Sequence, residues 1–252
     1  MKEYLLLDLN IKLYPGKFRY VIKEILNRIH SQQEFIVLPF SLNDLAAAIS
    51  NPTDANAFQQ VDICTTDGMP IVWWCRFHKI QAERVYGPDI MREISFRTQG
   101  IKIKHFLLGS SPIVLKQLQN ELKNIAPRVN IVGSLSPPYT KLVDDDLKFI
   151  RKTIAKTEAS IVWIGISSPK QVLLATALKK ILPKTSFFCV GAAFDIVSKT
   201  KPMAPKFIQS MGLEWLFRLS KEPGRLWKRY LVDIPLCLVL LTKKKISSLL
   251  SF

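Results

Sequence analysis

Residues 61–89 read VDICTTDGMPIVWWCRFHKIQAERVYGPD, and they organise the rest of the chain. A strand-like apolar run leads into Thr65-Thr66-Asp67-Gly68, and a second apolar run, residues 69–74, leaves it. The pattern predicts a carboxylate at a tight turn between two buried segments, where burial raises its pKa toward the range of a general base. Asp-Gly is also ordinary turn chemistry, so the dipeptide alone does not decide between a base and a turn.

At 252 residues the chain is long enough for one sizeable core or for a core with an appendage. Lys and Arg outnumber Asp and Glu by 36 to 20, a formal charge of +16, which points to an anionic partner: nucleic acid, a nucleotide-sugar or an anionic membrane surface. Cys64, Cys75, Cys189 and Cys237 form no CxxC pair, and three lie in strongly apolar runs, the pattern of free thiols in a reducing cytoplasm. His30, His78 and His105 stand apart from one another, which argues against a zinc site. The first residues carry charges at Lys2, Glu3 and Asp8, unlike a signal peptide, and no run of about 18 apolar residues predicts a membrane span.

Along the chain, strands are expected over 4–11, 35–40, 101–108, 129–132, 160–164 and 185–190, with helices over 17–31, 44–49, 113–125, 147–157 and 171–182 and a helix start at Gly87-Pro88-Asp89. That alternation predicts an α/β fold, a Rossmann-like, mainly parallel sheet flanked by helices. Motifs then fall at C-terminal strand ends, where ligands of such sheets bind. Ser41 and Asn43 follow the second strand, where either also suits a helix cap. Gly109-Ser110-Ser111-Pro112 follows another and offers backbone N–H groups to a phosphate, or is a plain βα turn. Tyr139 stacks on a nucleobase or packs on its proline-bearing loop, Gln171 opens a helix after Pro169, and Asp195 binds ribose hydroxyls or pairs locally. There is no G-x-G-x-x-G and no Walker motif. Asp144-Asp145-Asp146 contains a D-x-D, read here as the acidic start of a helix.

Residues 196–252 hold eleven Lys or Arg against three acids, half of the excess charge of the chain. Trp215, Phe217, Trp227 and Tyr230 alternate with Arg218, Arg225, Lys228 and Arg229, the composition of an interfacial segment on anionic lipid. It also suits RNA or DNA, and the aromatics can simply pack on the core. Pro223-Gly224 is expected to split the region into two short helices. The division is therefore a core, 1–195, and a basic, helical, aromatic C-terminal appendage, 196–252.

Six blocks in order carry a resemblance: Ser41-Leu42-Asn43; Thr66-Asp67-Gly68-Met69-Pro70 with Glu83-Arg84-Val85-Tyr86-Gly87-Pro88-Asp89; Val132 to Pro138; Pro169-Lys170-Gln171; Gly191-Ala192-Ala193-Phe194-Asp195; and Gly212-Leu213-Glu214-Trp215 through Arg229-Tyr230. Together they resemble the WecG/TagA/CpsF glycosyltransferases over about residues 35–231. The resemblance implies a hexosyltransferase of N-acetylmannosaminyltransferase type, inverting and metal-independent, with no cofactor. It would move an N-acetylmannosamine-like or other hexose or uronate from a UDP-sugar to a polyprenyl-diphosphate-linked saccharide, in teichoic acid, exopolysaccharide or other cell-surface polysaccharide synthesis. On the combined reading as a glycosyltransferase, Asp67 is the base, Ser41 and Gln171 are catalytic, and Asn43, Gly109, Tyr139, Asp195, Arg218, Arg225 and Lys228 bind substrate. It implies a cytoplasmic enzyme, peripheral on the inner face of the plasma membrane, with no nucleic acid partner and with a homo-oligomer left open. Two departures stand out, Ser41 where the family usually has Thr and Val172 where it usually has Glu. The rival reading is a basic, nucleic-acid-binding α/β protein, which lacks a recognisable binding motif.

Overall fold

The computed structural model describes residues 4–6, 9–137 and 144–235. The chain opens with two short strands, β1 (Tyr4–Leu6) and β2 (Ile11–Leu13), paired antiparallel, rather than the one strand expected over 4–11. Asn10 takes a positive φ of 53° at the turn between them, a conformation its side chain tolerates better than most. Helix α1 (Phe18–His30) follows and buries Val21, Ile22, Ile25 and Ile29, one stripe at helical spacing.

The core strand β3 (Ile36–Phe40) is buried at every position, as a strand covered on both faces must be. Helices α2 (Leu42–Ser50) and α3 (Pro52–Gln59) lead to β4 (Ile63–Thr66), which ends one residue before Asp67. Helices α4 (Met69–Phe77) and α5 (Gly87–Arg97), strand β5 (Lys104–Gly109), helix α6 (Pro112–Ile125) and strand β6 (Asn130–Leu135) come next. Strand β6 is longer than the expected 129–132, so Gly133 to Leu135 lie within it. Then come α7 (Asp144–Ala155), β7 (Ile161–Gly165), α8 (Lys170–Lys179), β8 (Ser186–Cys189) and α9 (Ala193–Val197). Three shorter helices follow: α10 (Lys206–Ser210), α11 (Glu214–Lys221) and α12 (Pro223–Lys228), with a π-helical turn over Arg229–Asp233. Pro223 begins α12, so the break falls at Glu222.

Among the described residues, eight strands form one sheet in the order β1-β2-β4-β3-β8-β7-β5-β6, parallel throughout except for the β1–β2 hairpin. The fold is therefore the expected Rossmann-like α/β sheet, with seven parallel strands. Alternate residues of each central strand face opposite layers. Ile36, Leu38, Phe40, Val162 and Ile164 pack in one apolar cluster, and Val37, Ile161, Trp163 and Phe188 in the other. Each fully buried side chain contributes about 1.5–3 kcal/mol of transfer free energy, and a one-residue slip would move every one of them to the wrong layer, so register is strongly specified. At the centre the sequence order reverses between β3 and β8. The carboxyl ends of β3, β4, β7 and β8 bound the crevice that such a reversal opens.

The apolar run after Asp67 is a correction to the sequence reading. Residues 69–77 are helical, and they bury Ile71, Val72 and Cys75 while Trp73 and Phe77 are 48% and 84% exposed. Asp67 thus stands at a strand-to-helix junction, flanked by one buried strand and one half-buried helix. Gly68, at φ +84°, makes the junction, in a conformation open to glycine.

Candidate functional site

A cavity of about 1500 Å³ lies over the carboxyl ends of β3, β4, β7 and β8. Ser41, Asn43, Asp67, Gln171, Asp195 and Arg218, six of the residues singled out from the sequence, line it together.

Ser41 is the N-cap of α2, as the plain reading of that position anticipates, and it also faces the cavity. Its backbone N–H and its hydroxyl both donate to Asp44 Oδ2, at 2.8 and 2.6 Å, so the cap and the site share one carboxylate. Asp44 is only 3% exposed and its Oδ1 has no hydrogen-bond partner. Gln171, in the first turn of α8, is 5% exposed, and its Oε1 likewise has none. Val172 beside it is fully buried in the apolar layer.

Asp67 follows directly from β4. Its neighbours Thr65 and Thr66 turn their hydroxyls to the returning loop, donating to the carbonyls of Val85 at 2.7 Å and Glu83 at 2.5 Å, while Val85 N–H donates to Thr66 O at 2.8 Å. This loop is bound to the strand end like an extra strand, and it delivers Arg84 to the site. Arg84 Nε lies 3.8 Å from Asp67 Oδ1, an ion pair too long for a hydrogen bond. Its outer nitrogens bind Glu214 Oε2 at 2.5 Å and Gln209 Oε1 at 3.0 Å, and its guanidinium stands 4.0 Å from the Tyr86 ring centroid. Glu214 also pairs with Arg218, one turn along α11. Burial pushes the Asp67 carboxyl up, with Glu214 and Asp44 adding to the rise and Arg84 and Arg218 opposing it, so it titrates at about 6 rather than 3.8. Asp67 is thus ionised at neutral pH but near enough to its midpoint to accept a proton.

Asp195, which also lines the cavity, pairs with Lys201 at 3.0 Å, and Lys201 also reaches Glu222 at 3.1 Å. Asp195 lies on α9, beneath which Gly165 meets the Phe194 ring: a Cβ there would stand 2.3 Å from ring carbons.

Gly109 lies at the end of β5 but not in the cavity wall, which its neighbours Ser110 and Ser111 form. A Cβ on Gly109 would lie 2.8 Å from the backbone of Gly165, so the missing side chain lets two strand ends approach. Ser111 caps α6, accepting from Val114 N–H at 3.3 Å. Lys228 is exposed and does not line the cavity. Arg225 lies on α12 with its side chain outside the described ones, and Tyr139 lies outside the described residues. Asp144, Asp145 and Asp146 are the first turn of α7, as the reading of a helix start anticipates. Among the described residues, no group of three or more His, Cys, Asp or Glu could hold a metal ion, and no helix is long and apolar enough to cross a membrane.

Sequence reasoning missed the roles of Asp44, Arg84, Lys201 and Glu214 in the cavity wall. Arg84 and Glu214 stand inside two of the quoted blocks, and that position was the only signal. Their contact joins residues 130 positions apart, beyond the reach of spacing arguments. The model of the Glycosyl transferase WecG/TagA/CpsF family matches residues 6–250, nearly the whole chain, and the chain belongs to that family of glycosyltransferases.

Proposed function

We propose that this glycosyltransferase moves a hexose, N-acetylhexosamine or uronate from a UDP-sugar to a hydroxyl of a membrane-held, polyprenyl-diphosphate-linked saccharide, with inversion and without a metal. The observation that carries the reading is Asp67: a carboxylate raised to about 6, in a cavity at the C-terminal edge of a parallel sheet, with two arginines beside it.

In the proposed reaction Asp67 takes the proton of the acceptor hydroxyl as its oxygen attacks the anomeric carbon. The bond from that carbon to the diphosphate breaks on the opposite face, and UDP leaves with the electron pair. Arg218 and Arg84 offset the charge that develops on the departing diphosphate, where fixed cations act without reorganising. Ser41 and Gln171 orient the reacting sugars. Asp195 meets the ribose once it exchanges its Lys201 contact for a hydroxyl. Arg225, Lys228 and Tyr139 remain candidates for phosphate and base contacts from outside the described wall.

Residues 196–252 form the appendage that brings the active site to the lipid-linked acceptor at the inner face of the plasma membrane. Phe207, Trp227 and Leu231 there are 65%, 52% and 57% exposed, among basic residues suited to anionic headgroups. The test is transfer by the full chain from a panel of UDP-sugars to a short-chain lipid-diphosphate saccharide, with the product anomer read by NMR. One donor should yield UDP and an inverted glycoside. Retention of anomeric configuration, or no transfer from any UDP-sugar, overturns the proposal.

A further inference from the structure

Two carboxylates compete for one guanidinium at the floor of the cavity. Arg84 is held at its outer end by Glu214 and Gln209 and is stacked against Tyr86, while its Nε, buried and without a hydrogen bond, faces Asp67 across 3.8 Å. Guanidinium–carboxylate pairs frequently close into a bidentate fork, each N–H···O about 2.7–2.9 Å. Here the two outer nitrogens go instead to Glu214 and Gln209, one hydrogen bond each. Glu214 binds Arg218 with its other oxygen, so one carboxylate engages both cations that border the base.

The seat of Glu214 is built into the same junction that carries Asp67. Gly212, two residues before it, has φ +72°, and a Cβ there would stand 2.5 Å from the Trp73 ring and 3.1 Å from Met69 Cβ. Met69 and Trp73 belong to α4, which begins directly after Asp67-Gly68. The start of α11 is therefore positioned by the helix that the catalytic turn launches.

We propose that Glu214 is a positioning residue that holds Arg84 and Arg218 off Asp67, so that the carboxylate stays free to take the acceptor proton. This rests on Asp67 being the base. The charged groups that face Asp67 are Arg84 from the return loop, Glu214 and Arg218 from α11, and Asp44 from α2. Without Glu214 the two arginines lose their common partner, and Arg84 needs only to swing its outer nitrogens to form a fork on Asp67. A base locked in that pair is weaker and less available.

The test is a direct titration of Asp67 in the full chain labelled with [¹³Cγ]aspartate, its resonance assigned by loss in Asp67→Asn. The wild-type midpoint is expected at about 6. In Glu214→Gln it should drop in any case, because the charge of Glu214 itself raises Asp67, so this variant sets the lower bound. Glu214→Asp keeps the charge and gives up the reach, so a drop of roughly 1 in it reports an arginine newly engaged with Asp67. An unchanged or higher midpoint in Glu214→Asp overturns the inference. A lowered midpoint accompanied by full sugar transfer in Asp67→Asn upholds the restraint of the arginines and overturns the base assignment, so the two failures are distinct.

Discussion

Replacing Asp67 by Asn should make the protein more stable while removing its activity. The folded carboxyl titrates at about 6 and the unfolded one near 3.8, so between those values the folded state keeps a proton that the unfolded chain has lost. Wild-type stability therefore falls as pH rises through that window and stays lower above it. At 1.36 kcal/mol per pKa unit the ionised group costs at most about 3 kcal/mol above pH 6.5 and about half of that near pH 5. The side chain is 29% exposed, so solvent screening trims the figure. Asn keeps the shape, can turn its oxygen toward Arg84, and carries no ionisation cost. Urea unfolding of both proteins at pH 8 and near pH 4 reads the difference from the midpoints at equal m. The expected result is a clear advantage for the variant at pH 8 that nearly vanishes at the lower pH. A variant equally stable or less stable at pH 8 would refute the claim that Asp67 is held ionised at a cost.

His105 gives the opposite pH signature. It is 1% exposed, accepts from Trp163 Nε1 at 3.0 Å and contacts Thr98 Oγ1 at 2.9 Å, and burial lowers its pKa from 6.5 to about 4. The unfolded chain binds the proton first, so the wild type should lose about 3 kcal/mol more than His105→Gln between pH 7 and 4; equal losses would count against a buried neutral ring. Trp227→Ala with Leu231→Ala should weaken sedimentation with anionic vesicles at least tenfold, since burying each side chain contributes on the order of 1.5 kcal/mol or more; undiminished binding would place the membrane surface elsewhere. Transfer should persist in excess EDTA, and abolition with rescue by Mn²⁺ would restore Asp144 to Asp146 as ligands.

The strand-helix alternation was legible because each central strand is a continuous apolar run ending in polar, small or Pro-bearing motifs. That pattern placed Ser41, Asp67, Gln171 and Asp195 at one edge of the sheet, and they do line one cavity. The run after Asp67 was less legible because apolar residues continue around α4, including the exposed Trp73 and Phe77, so no stripe announces a helix. The break between β1 and β2 has its signal in Asn10, which stands inside the span expected as one strand. In sequence Gly109 suggests a backbone N–H facing a phosphate, whereas its close approach to Gly165 depends on a neighbouring strand far away in sequence. The Arg84–Glu214 pair required the fold itself, since only the seating of α11 against α4 and the return loop brings the two together.

The central claim is that Asp67 is the base of a sugar transfer. Single-turnover transfer by wild type and Asp67→Asn, with UDP-sugar bound at saturation and a soluble lipid-diphosphate saccharide as acceptor, tests it most directly. The account predicts unchanged donor binding and a rate lower by roughly 100-fold to 10,000-fold in the variant. A variant that keeps more than about a tenth of the wild-type rate, far outside that range, would contradict it.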